Sequence, residues 1–304
     1  MIQQLKISIA FMAIYFVWGS TFFGVSIALE SFPPFLLSAL RFLIGGLAIT
    51  VYCIFQKETL PATGDIIKFA LWGIVLFGGG VISVVWAQQY ITSSFASIVI
   101  TTPFWFVVLD KSQWHINFKN GWIMGGIAAG MVGVVLLIAQ RPSANFGGID
   151  NMEIKAILTI IAGSFLWVVG SLQLRKSQKS GSVYTKTSIH LIAAAVFAII
   201  VSFLSGEGEI MQWSLIKKDA VIALLYLSIV STSATFLAFI WLIKHKPVAL
   251  VSTYSYVNPM VAVLLGVFIG GEVISGIQII AMLIILLGVL SINIPNYKHK
   301  LLFK

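Results

Sequence analysis

Arg41 lies in the run FPPFLLSALRFLIGGLAITVYCIF, residues 32–55, and no other charged side chain interrupts that run. It sits eight residues beyond Pro33, which in a helix is a rise of about 12 Å. At that depth in an apolar medium a charge is costly to keep. A guanidinium presents a planar fork that binds a carboxylate or phosphate at two points, so Arg41 is a candidate anchor for an anionic substrate group. The alternative is a structural arginine that snorkels to the interface or pairs with Glu30 or Glu272. His190, in VYTKTSIHLIAAAVFAIIVSFL, is the second candidate. Imidazole changes charge near neutral pH, so it could bind substrate or carry a proton; it could equally stay neutral and bond a carbonyl.

Two prolines fall inside apolar runs, Pro103 and Pro259. Each removes one backbone bond and frees the carbonyl four residues earlier, at Val99 and Ser255. Such carbonyls are tolerated where they face a cavity or another helix, which makes the two prolines candidate hinges. Thr101, Thr102 and Trp105 stand beside the first, and Tyr254, Tyr256 and Asn258 beside the second. Tyr254 and Asn258 are four apart and share a helix face. Polar groups at such depth need a partner in protein, water or ligand, so these residues are read as cavity walls; the alternative is interhelical polar glue. Trp18 and Trp167, midway along their runs, offer aromatic faces to an apolar or cationic substrate. Trp86 and Trp105 are weaker candidates of the same kind, belt tryptophans being the default.

What must position these residues follows from composition. The chain has 304 residues, 59% hydrophobic and 10% charged, with a mean hydropathy of +1.01, against roughly 45–50% and about 25% in soluble domains. No water-soluble fold hides that much apolar surface. The single cysteine, Cys53, excludes an intramolecular disulfide, and no Cys/His cluster has zinc spacing, so neither a metal nor a cofactor is expected. The formal charge of +9 is read as membrane topology rather than as nucleic-acid binding.

Apolar stretches of roughly 20 residues, enough to cross about 30 Å of hydrocarbon, recur along the chain. They fall at roughly 7–28, 33–55, 66–86, 94–110, 120–140, 154–173, 183–204, 220–243, 248–270 and 274–294. The runs are continuous, not alternating, so the expected class is an all-α integral membrane protein of ten transmembrane helices rather than a barrel. The first run is too long for a cleavable signal peptide and no small-residue cleavage site follows it, so it is expected to remain. With both termini in the cytoplasm, most basic residues fall inside, among them Lys57, Lys68, Lys111, Lys119, Arg175, Lys244 and Lys246. Only Arg141, Lys155, Lys217 and Lys218 fall outside, as the positive-inside rule requires.

The chain also repeats. Residues 18–46 laid over 167–195 match Trp18 to Trp167, Ser31 to Ser180, Arg41 to His190, and Gly45–Gly46 to Ala194–Ala195. Residues 90–103 laid over 246–259 match Pro103 to Pro259, and Gly121 and Gly133 meet Gly276 and Gly288. Halves of five spans each, 1–150 and 151–304, must sit inverted to one another, an arrangement typical of secondary transporters with a midplane site. Small residues at Gly121, Gly125, Gly126, Gly130, Gly266 and Gly270 are assigned to close helix packing, with a homodimer contact through the fifth span as one use.

The stretches WGSTFFGVSIALESFPPFLLSALRFLIGG, from Trp18, and KPVALVSTYSYVNPMVAVLLGVFIGGE, from Lys246, resemble the EamA family of the drug/metabolite transporter superfamily. The resemblance implies a ten-helix basket around a central cavity, its path lined by the first four helices of each half. It also implies export of amino acids or other metabolites without an ATP site. The sequence departs from that family's pattern at Gln113–Asn117, which lacks a Gly-Glu pair, and at Ile91, where a proline is expected. No Walker A loop, Gly-x-Ser-x-Gly elbow, His-Glu-x-x-His helix or Asp-rich pair appears, so the expectation is not an enzyme. The span interiors hold no Asp or Glu, which leaves passive facilitation or exchange through a protonatable His190 as the coupling options. An intramembrane enzyme or a membrane receptor or scaffold are the competing classes.

Overall fold

A computed structural model describes residues 2–100, 102–139, 151–176, 181–271 and 275–301. Within them the chain is helical, with no strand. The main helices are α1 (Gln3–Leu29), α2 (Pro34–Phe55), α3 (Thr63–Ala87), α4 (Ser93–Val99), α5 (Thr102–Leu109), α6 (Gly121–Ala139), α7 (Asn151–Lys176), α8 (Val183–Leu204), α9 (Lys218–His245), α10 (Tyr254–Phe268) and α11 (Gly276–Leu301). Six of these, α1, α2, α3, α7, α8 and α9, are long and apolar enough to cross a membrane, and shorter apolar helices are α4, α5 and the segments Gly121–Gly133, Val257–Phe268 and Ile279–Ile292. The outer faces carry bare apolar side chains, with Phe55, Phe203 and Phe268 each at least 80% exposed. That surface suits lipid, not water.

Helix ends are set by local chemistry. Pro34 occupies the first turn of α2, where its missing N–H costs nothing. Thr92 and Ser182 cap α4 and α8, accepting from the amides of Phe95 and Thr185. The start of α2 gains a distant cap as well. The buried Glu207 carboxylate accepts from the amides of Phe35 (3.0 Å) and Leu36 (2.7 Å) and from the Ser202 hydroxyl (2.8 Å). A carboxylate is well placed at the positive end of a helix dipole. Removing it strands two amides, so Glu207→Ala is expected to destabilise the folded protein by about 2 kcal/mol, the scale of charged hydrogen bonds. A fall in thermal midpoint larger than that of Glu207→Gln, in detergent, checks this. Nearby, exposed Lys217 donates to Glu30 at 2.6 Å. That bond, and then the carboxylate's charge, raise the lysine's pKa. Its small stabilisation is therefore present below the unfolded lysine pKa and fades only as pH rises through the raised one.

Helices far apart in the sequence pair along their lengths, α2 against α8 and α6 against α11. In the second pair the glycines act by being small: a Cβ on Gly126 would stand 2.5 Å from the Gly288 carbonyl oxygen. Gly121 and Gly125 have nothing within 4 Å of a Cβ, so that part of α6 is bare.

Three helices widen into π turns, at Ala13–Val17, Ile74–Val81 and Tyr226–Ala234. In the last of these, hydroxyls five residues on take up carbonyls: Ser233 donates to Ser228 O (2.9 Å) and Thr235 to Val230 O (2.8 Å). Such widened turns occur often at functional sites.

The prolines behave unequally. Backbone extension at Ile100 (ψ 110°) ends α4, and Pro103 lies in the first turn of α5. In the second half the chain turns at Ser252–Thr253, whereas Pro259 lies inside the continuous α10. Pro259, a candidate hinge from sequence, thus lies within a helix that begins after that turn. Thr253 donates to the Leu250 carbonyl at 2.6 Å, a side-chain bond that competes with helical continuation.

Candidate substrate cavity

A cavity of about 110 Å³ lies among α1, α2, α3, α7, α9 and α10, with Ile100 also on its wall. Its lining follows helical stripes. From α1 come Trp18, Thr21, Phe22 and Val25; from α3, Phe77, Gly80, Val81, Val84 and Val85, followed by Gln88 just past its end. Both sets step by three or four residues, one face of each helix. From α7 come Ser164 and Trp167, three apart, and from α9 Ser231, Thr232 and Phe236.

One side of the cavity is an aromatic cluster. Trp18 and Trp167 meet edge-on at 5.6 Å, Trp18 meets Tyr254 at 5.0 Å and Phe239 at 5.1 Å, and Phe77 meets Phe236 at 4.7 Å. The polar edges of the rings are bonded: Trp18 Nε1 donates to Ser231 O (3.1 Å) and Trp167 Nε1 to the Tyr254 hydroxyl (2.9 Å). The faces are thereby fixed, which suits recognition of an apolar group. Asn258, with its amide NH2 turned toward α1, reaches the carbonyls of Ile14 (3.1 Å), Tyr15 (2.9 Å) and Tyr254 (3.0 Å). The Tyr15 hydroxyl lies 2.7 Å from that of Thr253. The π turn of α1 and the turn ahead of α10 are tied together by these bonds.

Arg41, only 4% exposed, is the one side chain on the cavity wall, among the described residues, that carries a charge at neutral pH. Its Nε donates to Thr232 Oγ1 at 2.6 Å and its Nη2 to Ser231 Oγ at 3.2 Å, while Nη1 has no protein partner there. No carboxylate among the described residues pairs with it. Glu30, one partner considered from sequence, binds Lys217 instead, and Glu272 lies outside the described residues. The widened turn of α9 supplies both hydroxyls that hold the guanidinium.

Of the residues singled out from sequence, the fold brings together Arg41, Trp18, Trp167, Tyr254 and Asn258 on this wall. His190 is elsewhere. Its ring is fully buried against Phe69 (5.9 Å), and its backbone lies so close to Gly73 that a Cβ there would stand 2.4 Å from the His190 Cα. Trp105 also leaves the cavity and packs edge-on against Phe104 and Phe165. Neither side chain lines this cavity, because the helix face each presents depends on partners no local pattern shows. The side chains of Thr102, Pro103 and Tyr256, and all of Thr101, lie outside the described residues. Sequence reasoning missed Gln88, Ser164, Thr21, Ser231 and Thr232. The three-and-four spacing from Trp18 and Trp167 was the available signal for Thr21 and Ser164.

A bundle of apolar helices around a buried, partly polar cavity defines a multi-pass membrane protein with a solute-sized site. The EamA-like transporter family matches residues 5–139 and 154–294, and the chain belongs to that family of membrane transporters. It is 30% identical over 303 residues to the uncharacterized inner membrane transporter YedA of Escherichia coli K12, covering 97% of this chain and 93% of that one. It is 25% identical over 300 residues to a probable amino-acid metabolite efflux pump of Salmonella typhimurium, covering 93% and 92%. A crystal structure of a protein 20% identical in sequence superposes with a TM-score of 0.73, covering 96% of this chain and 98% of that one, and so shares the fold.

Proposed function

We propose that this protein is a secondary transporter that exports a small metabolite, an amino acid or related compound, by exposing the cavity to either face of the inner membrane in turn. The carrying observation is Arg41. A buried guanidinium with one nitrogen unpaired, facing a cavity walled by fixed aromatic rings, is an anchor awaiting an anionic group. In this reading ten spans form two inverted repeats, 1–150 and 151–304, with both termini in the cytoplasm. Support comes from the family match falling in two segments on either side of residues 140–153. The lengthwise pairing of α2 with α8 and of α6 with α11 supports it too. The breaks beside Pro103 and ahead of Pro259 serve as the bending points. No ATP, cofactor or metal takes part, and a homodimer would use the bare Gly121–Gly125 face of α6.

With that orientation the cavity lies toward the outer side, above the aromatic cluster, and the cluster is the barrier toward the cytoplasm. Transport then requires the Trp18–Trp167 contact to part. His190, sealed between helices without a bonded ring nitrogen among the described residues, is a packing residue in this scheme. His190→Gln is expected to leave the dependence of flux on a proton gradient unchanged. Flux into proteoliposomes with and without an imposed gradient measures this, and abolition of gradient dependence by the substitution would restore His190 as the coupling site.

A further inference from the structure

The polar groups of the cavity wall divide into those already bonded and those left over. Thr21 and Ser231 hydroxyls bond each other at 2.7 Å, and Thr232 and Ser231 hold the guanidinium. Left over among the described residues are Arg41 Nη1, both amide atoms of Gln88, and the Ser164 hydroxyl. These side chains are 4%, 8% and 3% exposed, and all three line the same cavity. Buried polar atoms without partners are rare because each loses its bonds to water, so four such atoms, on three side chains around one space, describe the ligand that completes them.

Each leftover group sets a requirement. Arg41 asks for one negative charge. Gln88 asks for a neutral group that can both donate and accept, and Ser164 accepts either role. The remaining wall, Trp18, Phe77, Trp167 and Phe236 foremost, asks for an apolar body. Equally decisive is what the wall does not offer: among the described residues it holds no carboxylate, so when an amino acid's carboxylate pairs with Arg41 its ammonium finds no anionic partner. A phosphate dianion would exceed the one positive charge available.

We propose that the cavity selects a monoanionic carboxylate with an apolar body and one amide or hydroxyl group, of which an N-acylated apolar amino acid or an apolar 2-hydroxy acid is the simplest form. It does so in preference to the zwitterionic or cationic amino compound with the same side chain. The inference rests on the cavity being the transport site and narrows the related compounds of that reading to one charge class. The amide or hydroxyl completes Gln88 and Ser164, the carboxylate completes Arg41, and no charge is left unpaired.

Four probes that share one side chain separate the charge classes: N-acetyl-leucinate, leucine, leucinamide and the uncharged N-acetyl-leucinamide. Binding to the purified full-length protein by isothermal titration calorimetry is expected to be at least tenfold tighter for N-acetyl-leucinate than for leucine, with leucinamide weakest. In Arg41→Gln, N-acetyl-leucinate and N-acetyl-leucinamide should bind within threefold of each other; Arg41→Lys, which keeps the charge, should retain part of the preference. Leucine binding as tightly as N-acetyl-leucinate overturns the proposal. So does the absence of saturable binding by any probe to protein that still melts cooperatively, or an undiminished anion preference in Arg41→Gln. Binding in the expected order without flux in proteoliposomes supports this selectivity and contradicts the transporter reading, so the two fail separately.

Discussion

Arg41→Gln is expected to lower the flux of an anionic substrate by tenfold to hundredfold while leaving the thermal midpoint of the purified protein within a few degrees of the parent. The first half of that result follows from losing a charged hydrogen bond to substrate, worth about 1.5–3 kcal/mol. The second follows from the cost of burying an ion. The guanidinium is 4% exposed, bonded to two neutral hydroxyls and to no carboxylate among the described residues. A neutral amide of similar length can still bond Thr232 and carries no unpaired charge, so the fold does not depend on Arg41. Initial-rate flux in proteoliposomes, beside the melting curve of the same preparation, separates the effects. Equal losses of flux and stability would mark Arg41 as structural.

The second large effect is on the fold. Gly73→Val should cost about 3 kcal/mol or more and sharply reduce the yield of monodisperse protein, because overpacking that moves backbone is the severe kind. A Cβ at this position meets the His190 Cα at 2.4 Å and its carbonyl oxygen at 2.5 Å, main-chain atoms that no rotamer change relieves. The two helices would have to separate, and α3 would carry its cavity stripe from Phe77 to Val85 with it. Gly121→Ala is the control: at this first residue of α6 nothing lies within 4 Å of the added methyl. Thermal midpoints of the two variants in one detergent give the comparison, with Gly121→Ala at or slightly above the parent.

The helices were legible because lipid imposes a simple rule on sequence. Runs placed at 33–55 and 183–204 correspond to Pro34–Phe55 and Val183–Leu204, where Pro34 and Ser182 mark the starts chemically. Trp18 and Trp167, picked out as mid-span tryptophans, meet at the heart of the molecule. Arg41 was legible for the same reason: a charge in a long apolar run is an anomaly by itself. Gln88 read as part of a polar turn, since only the packed structure shows its amide buried without a partner. His190 occupies the position matching Arg41, yet a glycine more than a hundred residues away lets α3 close over it. The turn at Ser252–Thr253 escaped notice because proline is the loud signal for a break, and a threonine hydroxyl bonding a carbonyl is a quiet one. Whatever depends on which face meets which neighbour is tertiary information.

Accessibility of the cavity from the two sides of the membrane tests the central claim most directly. The chain has one cysteine, Cys53, so a Cys53→Ala background carrying Ser164→Cys holds a single thiol on the cavity wall. Labelling by a membrane-impermeant thiol reagent is predicted from both faces, in intact cells and in inside-out vesicles, and a bound ligand should slow both. A thiol that reacts from one face alone, or from neither, would contradict alternating access through this cavity.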